Sequence, residues 1–527
     1  MYKNPCLMVD AYKLGHYFQM PPGVQAIYST WTARSNKYHD GCDDTVVFGH
    51  QGFIKEYLID FFNANFFNAD IDEIEKDFAR KVGAVFHPAY TDFTRFRKLH
   101  ALGYLPIEVW GVPEGTILPI NIPDHVIFNT HPDFAWLPQY LEDVWSCHNW
   151  MPSTSATTAY YRRRLLEPYV AATCDDDSCL KHLCGDFSMR GMTGEDAAYI
   201  STSGHLLSFD RTATVEGNAY LEQYYGADLS DPAKVPGLGV PSLEHSVVCQ
   251  NVAYYKELIG TNRIPGYMVP YVRQACAANW ELNLIAEMCF ILRLLTEVQP
   301  HGVLTYVSDT YDYWGVVTKV LPLIRNVILE RDGKFSVRPD SGNPVHIVCG
   351  DPNAPLYTPE FNGTLLSLLS TFGYEVNKKG CKVLPRQIGL IYGDAVTAAI
   401  TKDIGDWCCA HKVAISNIAF GIGAYTYQYV TRDTRGYAIK ATDAYIEGMG
   451  ELPLYKAPKT DPGKKSPKGC VAVIKDGRGK ICMIDCITLE QAKDYPGNMM
   501  VQKFVDGEAK NVEDIYTIRN RLWEGNF

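Results

Sequence analysis

Short apolar runs, each stopped by glycine or by a charged residue, recur through the middle of the chain. Val303 to Val307 runs into Ser308-Asp309-Thr-Tyr-Asp312, and Phe335-Ser-Val-Arg338 into Pro-Asp340-Ser-Gly-Asn-Pro344. Ile388 to Tyr392 is followed by Gly393-Asp394, and Ile415 to Phe420 by Gly421-Ile-Gly423-Ala424. Helix-length segments separate them. In the stretch Asn279 to Val298, apolar residues fall at Leu282, Leu284, Ile285, Met288, Ile291, Leu294 and Leu295, the stripe of an amphipathic helix. Strands that alternate with helices and end in polar residues predict a parallel (β/α) barrel-like α/β domain over residues 150–432, with its chemistry at the strand C-termini.

The flanks read differently. Residues 1–149 mix β-like runs (Gln25 to Trp31, Ile107 to Val112) with a helical stretch from Gln51 to Asn63, and turns fall at Pro113-Glu-Gly and Ile120 to Pro123, so an α+β segment is expected. Residues 433–527 return to strands and turns, including Gly469 to Lys475 and Lys480 to Ile484. The Gly- and Pro-containing stretch within residues 256–275 reads as a loop or an insertion.

Composition narrows the function classes. The 527 residues, 46% hydrophobic and 21% charged, suffice for more than one core. A net charge of −11 argues against a general nucleic-acid surface, so any phosphate site is local. With no long apolar run and no secretory leader pattern, the expectation is a cytoplasmic protein that engages no membrane. The 16 cysteines form no CxxC pair and read as reduced thiols. Cys174, Cys179, His182 and Cys184 lie close together, and both a metal site and plain thiols stay open for them, although the spacing fits no standard zinc site. Lys456, Lys459, Lys464, Lys465 and Lys468 crowd a Pro-rich segment, either a solvated loop or a polyanion contact.

Arg338 and Asp340, pinned by Pro and Gly at a strand end, place a cation and an anion in one concavity, which suits a charged sugar phosphate. Together with Asp10-Ala-Tyr12-Lys13, Asp186-Phe187-Ser-Met-Arg190-Gly191, Glu244-His245-Ser246, Asn417 to Gly421 and Thr431-Arg432-Asp433, this order of motifs resembles the nicotinamide phosphoribosyltransferases over nearly the whole length.

The resemblance implies a homodimer whose active sites lie at the subunit interface. It also implies that the N- and C-terminal segments build the α+β domain together. The reaction would transfer phosphoribose from phosphoribosyl pyrophosphate to nicotinamide, releasing pyrophosphate. Phe187 and a Tyr12 from the partner would sandwich the pyridine, and Arg338 would meet its carboxamide oxygen. Arg190 would be a further substrate contact. Arg34, Arg432, Lys440, Lys456 and Lys464 would surround the pyrophosphate. Asp309, Asp340 and Asp394 would hold ribose hydroxyls and a hydrated Mg2+, and Gly393, Gly423 and Ala424 would approach phosphate. His245 would accept a phosphoryl group from ATP, with His245, Asp309 and Asp340 as the catalytic set. Structural salt bridges are the alternative for any one of the carboxylates.

Three positions depart from the family pattern. Ala213 stands where these enzymes carry the aspartate that accepts from the carboxamide, which brings in nicotinate as a second substrate reading; Asp210 is a candidate substitute acceptor. Tyr429 replaces a lysine, and Ala424 a glycine. A non-catalytic binding protein on the same scaffold is the reading from another class.

Overall fold

Six short strands pair in parallel in the order Arg211–Thr212, Cys184–Asp186, Ile418–Ile422, Ile388–Tyr392, Phe335–Arg338, Leu304–Val307. The computed structural model describes residues 3–38, 42–393, 396–460 and 465–524. The extended segment 238–242 closes this sheet. Leu238 bridges in parallel to Arg211 at one edge, and Ser242 to Thr305 at the other. Within it Thr305 N–H donates to Pro241 O at 2.8 Å and Leu243 N–H to Thr305 O at 3.2 Å. The barrel-like α/β expectation is met. Closure leaves no free edge.

Helices pack outside the barrel. The predicted stripe becomes the helix Leu282–Arg293 and a π-helical turn to Val298, and Leu284, Ile285, Met288, Ile291 and Leu292 are buried with Val316, Val320 and Phe335 in the largest core. The stretch read as a loop or an insertion is mostly helical. Helix His245–Gly260 runs into it, a 3-10 turn spans Gly266–Met268, and helix Val269–Ala277 follows. Pro270 misleads because it sits in the first turn of that helix, where its missing N–H has no partner to lose.

A seven-stranded sheet joins the two ends of the chain. Val24–Thr32 pairs antiparallel with Ala438–Ile446 on one side and with Pro123–Asn129 on the other, and Val501–Val505 pairs with Ile107–Gly111. Trp31, Ile107, Val109, Ile127, Ile439 and Phe504 bury a common aromatic-rich core, as expected if both termini build one unit. The helix Glu142–Thr173 crosses residue 150 without a break. Trp145 packs in this second core and Leu166 in the barrel's. Among the described residues no helix is long and apolar enough to cross a membrane.

Candidate active site

The residues that stop the barrel strands line one cleft of about 330 Å³: Phe187, Ser188, Arg190, Gly191, Arg338, Asp340, Gly393, Gly423 and Ala424. Each arrives by the same logic. A short buried strand fixes a backbone direction, and the first residues beyond its last hydrogen bond are free to face the mouth.

Arg338 is the last residue of its strand, and three side-chain hydrogen bonds direct its guanidinium. It donates from one terminal nitrogen to Ser242 Oγ at 3.0 Å and from the other to Leu243 O at 2.9 Å and Asp340 Oδ2 at 3.0 Å. Its Nε is buried without a hydrogen-bond partner. Asp309 holds the next turn: its Oδ2 accepts from Asp340 N–H at 3.0 Å and from Ser341 Oγ at 2.6 Å. The other oxygen, Asp309 Oδ1, is buried and accepts no hydrogen bond. His245 opens its helix with Nε2 3.8 Å from both Asp309 Oδ1 and Asp340 Oδ2 and with Nδ1 3.0 Å from Thr310 Oγ1. If Nδ1 donates to Thr310, Nε2 keeps its lone pair toward the cleft.

Phe187 is half-buried. Asp186, fully buried below it, shapes the turn: Ser188 N–H donates to its Oδ1 at 2.9 Å, and Thr202 Oγ1 donates to its Oδ2. Arg190 reaches out to Glu244 at 3.4 Å. Gly393 is required by close approach, because a Cβ there would lie 2.3 Å from Asp340 Oδ1 and 3.1 Å from Arg338 Cδ. Asp394, next to it, lies outside the described residues.

The remaining predicted contacts do not line this cleft within one chain. Tyr12 is exposed and donates to Asp10 Oδ2 at 2.8 Å. Arg432 pairs with Asp433 at 3.2 Å on the surface. Arg34 and Lys440 line a second cleft, of about 390 Å³, with Lys465. Burial lowers the Lys440 pKa, Glu142 at 3.6 Å opposes that, and Arg34 and Lys456 nearby add to it, so the cations crowd one another. Lys464 lies outside the described residues.

Asp210, the candidate substitute acceptor, is engaged within the chain. Its carboxylate meets His182 Nδ1 at 2.7 Å and Arg211 Nε at 3.6 Å. Ala213 N–H donates to Asp186 O at 2.8 Å, which sets the exposed Ala213 beside the Phe187 turn with a methyl group only. Tyr429, where the family has lysine, stacks on Tyr425 with ring centroids 5.0 Å apart. The positioning side chains Ser242, Thr310, Ser341 and Asp186 were not among the predicted site residues. All four stand inside the quoted motifs or one or two residues from them, and that adjacency was the available signal.

The carboxylates suit a hard cation. Asp309 Oδ1 is a buried oxygen in want of a partner, beside Asp340, and Mg2+ is commonly held by one or two carboxylates and its own waters. Among the described residues no three His, Cys, Asp or Glu side chains are gathered to form a complete metal cage.

Comparison with known proteins gives the same direction. The nicotinate phosphoribosyltransferase (NAPRTase) family matches residues 182–504. The chain is 37% identical to a nicotinamide phosphoribosyltransferase of Acinetobacter baylyi over 90% of its own length and 89% of the relative's. It is 29% identical to one of Mycoplasma pneumoniae, covering 88% and 94%. Among solved structures, human nicotinic acid phosphoribosyltransferase superposes with a TM-score of 0.55 at 15% identity, covering 98% of this chain and 93% of that one. A nicotinate-nucleotide pyrophosphorylase from Pyrococcus furiosus gives 0.54 at 14%, covering 99% and 95%. These last two likenesses concern the fold.

Proposed function

The chain belongs to the nicotinate phosphoribosyltransferase family, and from that premise we propose that it transfers phosphoribose from phosphoribosyl pyrophosphate to nicotinamide, a step of NAD biosynthesis. One observation carries the reading. Arg338 and Asp340 line one mouth with Phe187, and Asp309, at the adjacent strand end, is locked to the Asp340 turn by a hydrogen bond.

The chemistry follows from charge. As the bond from ribose C1 to pyrophosphate lengthens, positive charge grows on the sugar and negative charge on the leaving group. In this reading Asp340 would orient the ribose hydroxyls and face the developing cation, with Asp309 behind it holding its turn. Phe187 offers a flat apolar face to the pyridine, and Arg338 a donor to its carbonyl oxygen. The attacking ring nitrogen carries no proton, so no general base is needed. Mg2+, held by Asp309 and Asp340, would neutralise charge on the pyrophosphate.

Two further elements belong to this reading. Arg34, Lys440 and Lys456 form a cation cluster of their own, away from the barrel mouth of the same chain, and Tyr12 is exposed. A homodimer that brings the partner's cluster and tyrosine to each mouth uses both. His245, with Nε2 toward the carboxylates, is the residue to receive a phosphoryl group from ATP and so raise substrate affinity.

The test is the formation of mononucleotide from phosphoribosyl pyrophosphate, Mg2+ and each pyridine by the purified chain. Nicotinamide is expected to win in kcat/KM. Ala213 and the engagement of Asp210 with His182 favour a second reading, nicotinate, and a strong preference for the acid would establish it. No product from either would overturn both.

A further inference from the structure

Cys174 and Cys179 bracket an exposed turn, residues 175–178, at the end of the helix Glu142–Thr173, and their sulphurs lie 4.0 Å apart. Neither is in a disulfide. A disulfide needs about 2.05 Å between sulphurs, so closing the pair asks for a movement of about 2 Å. The intervening turn is solvent-exposed at all four residues, and among the described residues its one hydrogen bond to a distant segment is the Lys378 N–H on Asp175 Oδ1 at 2.9 Å.

The surroundings favour a thiolate on one member. Cys174 accepts from the Cys179 thiol and from Ser416, and these bonds hold it below the ordinary thiol value, at about 6. The same bond, with burial, pushes Cys179 up. The pair therefore gives up one proton early and keeps the other, the division of labour of an attacking and a resolving thiol. Cys179 lines a cavity of about 310 Å³ inside the barrel, with His182, Ser416, Lys334 and Phe187. The buried Cys174 does not line it and is reached from it past Cys179, whose sulphur is 4.0 Å away. A metal does not explain the cluster: His182 is paired with Asp210, and among the described residues no metal-holding group occurs.

We propose that Cys174 and Cys179 are a reversible thiol–disulfide site oxidised by a small peroxide that enters through the barrel cavity. The Cys174 thiolate attacks one peroxide oxygen and breaks the O–O bond. The sulphur becomes a sulfenic acid, and the departing hydroxide takes a proton to leave as water. The Cys179 sulphur then attacks the sulfenic sulphur. It gives up its proton and expels a second water as the S–S bond forms, so two thiols and one peroxide yield one disulfide and two waters. An external dithiol reverses the change.

Residues 165–181 form one tryptic peptide that carries both cysteines. Reduced full-length protein is treated with one equivalent of hydrogen peroxide at neutral pH, alkylated, digested and weighed. The expected result is a peptide about 2 Da lighter than the dithiol form, closed to alkylation until dithiothreitol is added. It forms at least about tenfold faster than oxidation of the exposed Cys249 and Cys276. In Cys179→Ser, Cys174 is expected to persist as a sulfenic acid that dimedone captures. Three results would overturn the site: full alkylation of the peptide while Cys249 and Cys276 oxidise, a cross-link from Cys174 to the nearby Cys381, or sulfinic acid without linkage. The readout is chemical and independent of any transferase activity.

Discussion

Asp309 Oδ2 accepts the main-chain N–H of Asp340 at 3.0 Å, so the carboxylate after one barrel strand holds the turn that carries the carboxylate after the next. Asp309 thus has two jobs, position and charge, and two variants separate them. Asp309→Asn keeps an oxygen for the N–H and loses the charge, while Asp309→Ala loses both. Both are expected to lower kcat, alanine by about 10²-fold or more and by more than asparagine, in steady-state mononucleotide assays.

Gly393 leaves no room for a side chain against Asp340. Gly393→Ala is expected to cut kcat/KM by about 10²-fold, the scale for a misplacement of about 1 Å, while the thermal midpoint moves little. A variant with ordinary activity would show that Asp340 is not held as described.

Phe187→Ala should raise the pyridine KM by about tenfold and leave the phosphoribosyl pyrophosphate KM nearly unchanged, since an aromatic face is worth about 0.5–1.5 kcal/mol beyond its area. Phe187→Tyr keeps the face and should retain most affinity. Initial rates across both substrates decide it.

A shared site makes a complementation test available. Arg338→Ala and Lys440→Ala chains, each inactive alone, should regain about a quarter of full activity when co-expressed, because random pairing gives half heterodimers with one intact site each. Absence of recovery in a verified mixture would argue for sites built within single chains.

Glu287 is buried, and its Oε2 has no hydrogen-bond partner. Burial pushes its pKa to about 8, opposed by the bond that Tyr306 Oη donates at 2.9 Å. The folded state therefore favours the protonated form. The stability this contributes is complete below the unfolded value near 4.5 and is lost as pH rises through about 8. Glu287→Gln should match wild type near pH 5 and exceed it at pH 9, by a gap on the order of a few kcal/mol, in thermal or urea unfolding.

The barrel strands and the residues that stop them could be read in advance because both signals are local: an apolar run, then Gly, Pro or Asp. The segment 238–242 could not. It makes only a bridge at each end and carries no alternation, yet it closes the sheet. Nor did any local feature show that Val24–Thr32 would pair with Ala438–Ile446. The fate of Asp210 was hidden for the same reason, since its partner His182 lies 28 positions away and is brought beside it by the fold. At Arg338 and Asp340, two positions apart, the sequence spacing alone was enough.

The partnership of Val24 with Ile446 has a temporal side. At about 5–20 residues per second, the first strand leaves the ribosome about 20–80 s before its mate is made. For that interval its one edge is an open template, so the nascent chain depends on whatever shields an unpaired β-ribbon during synthesis.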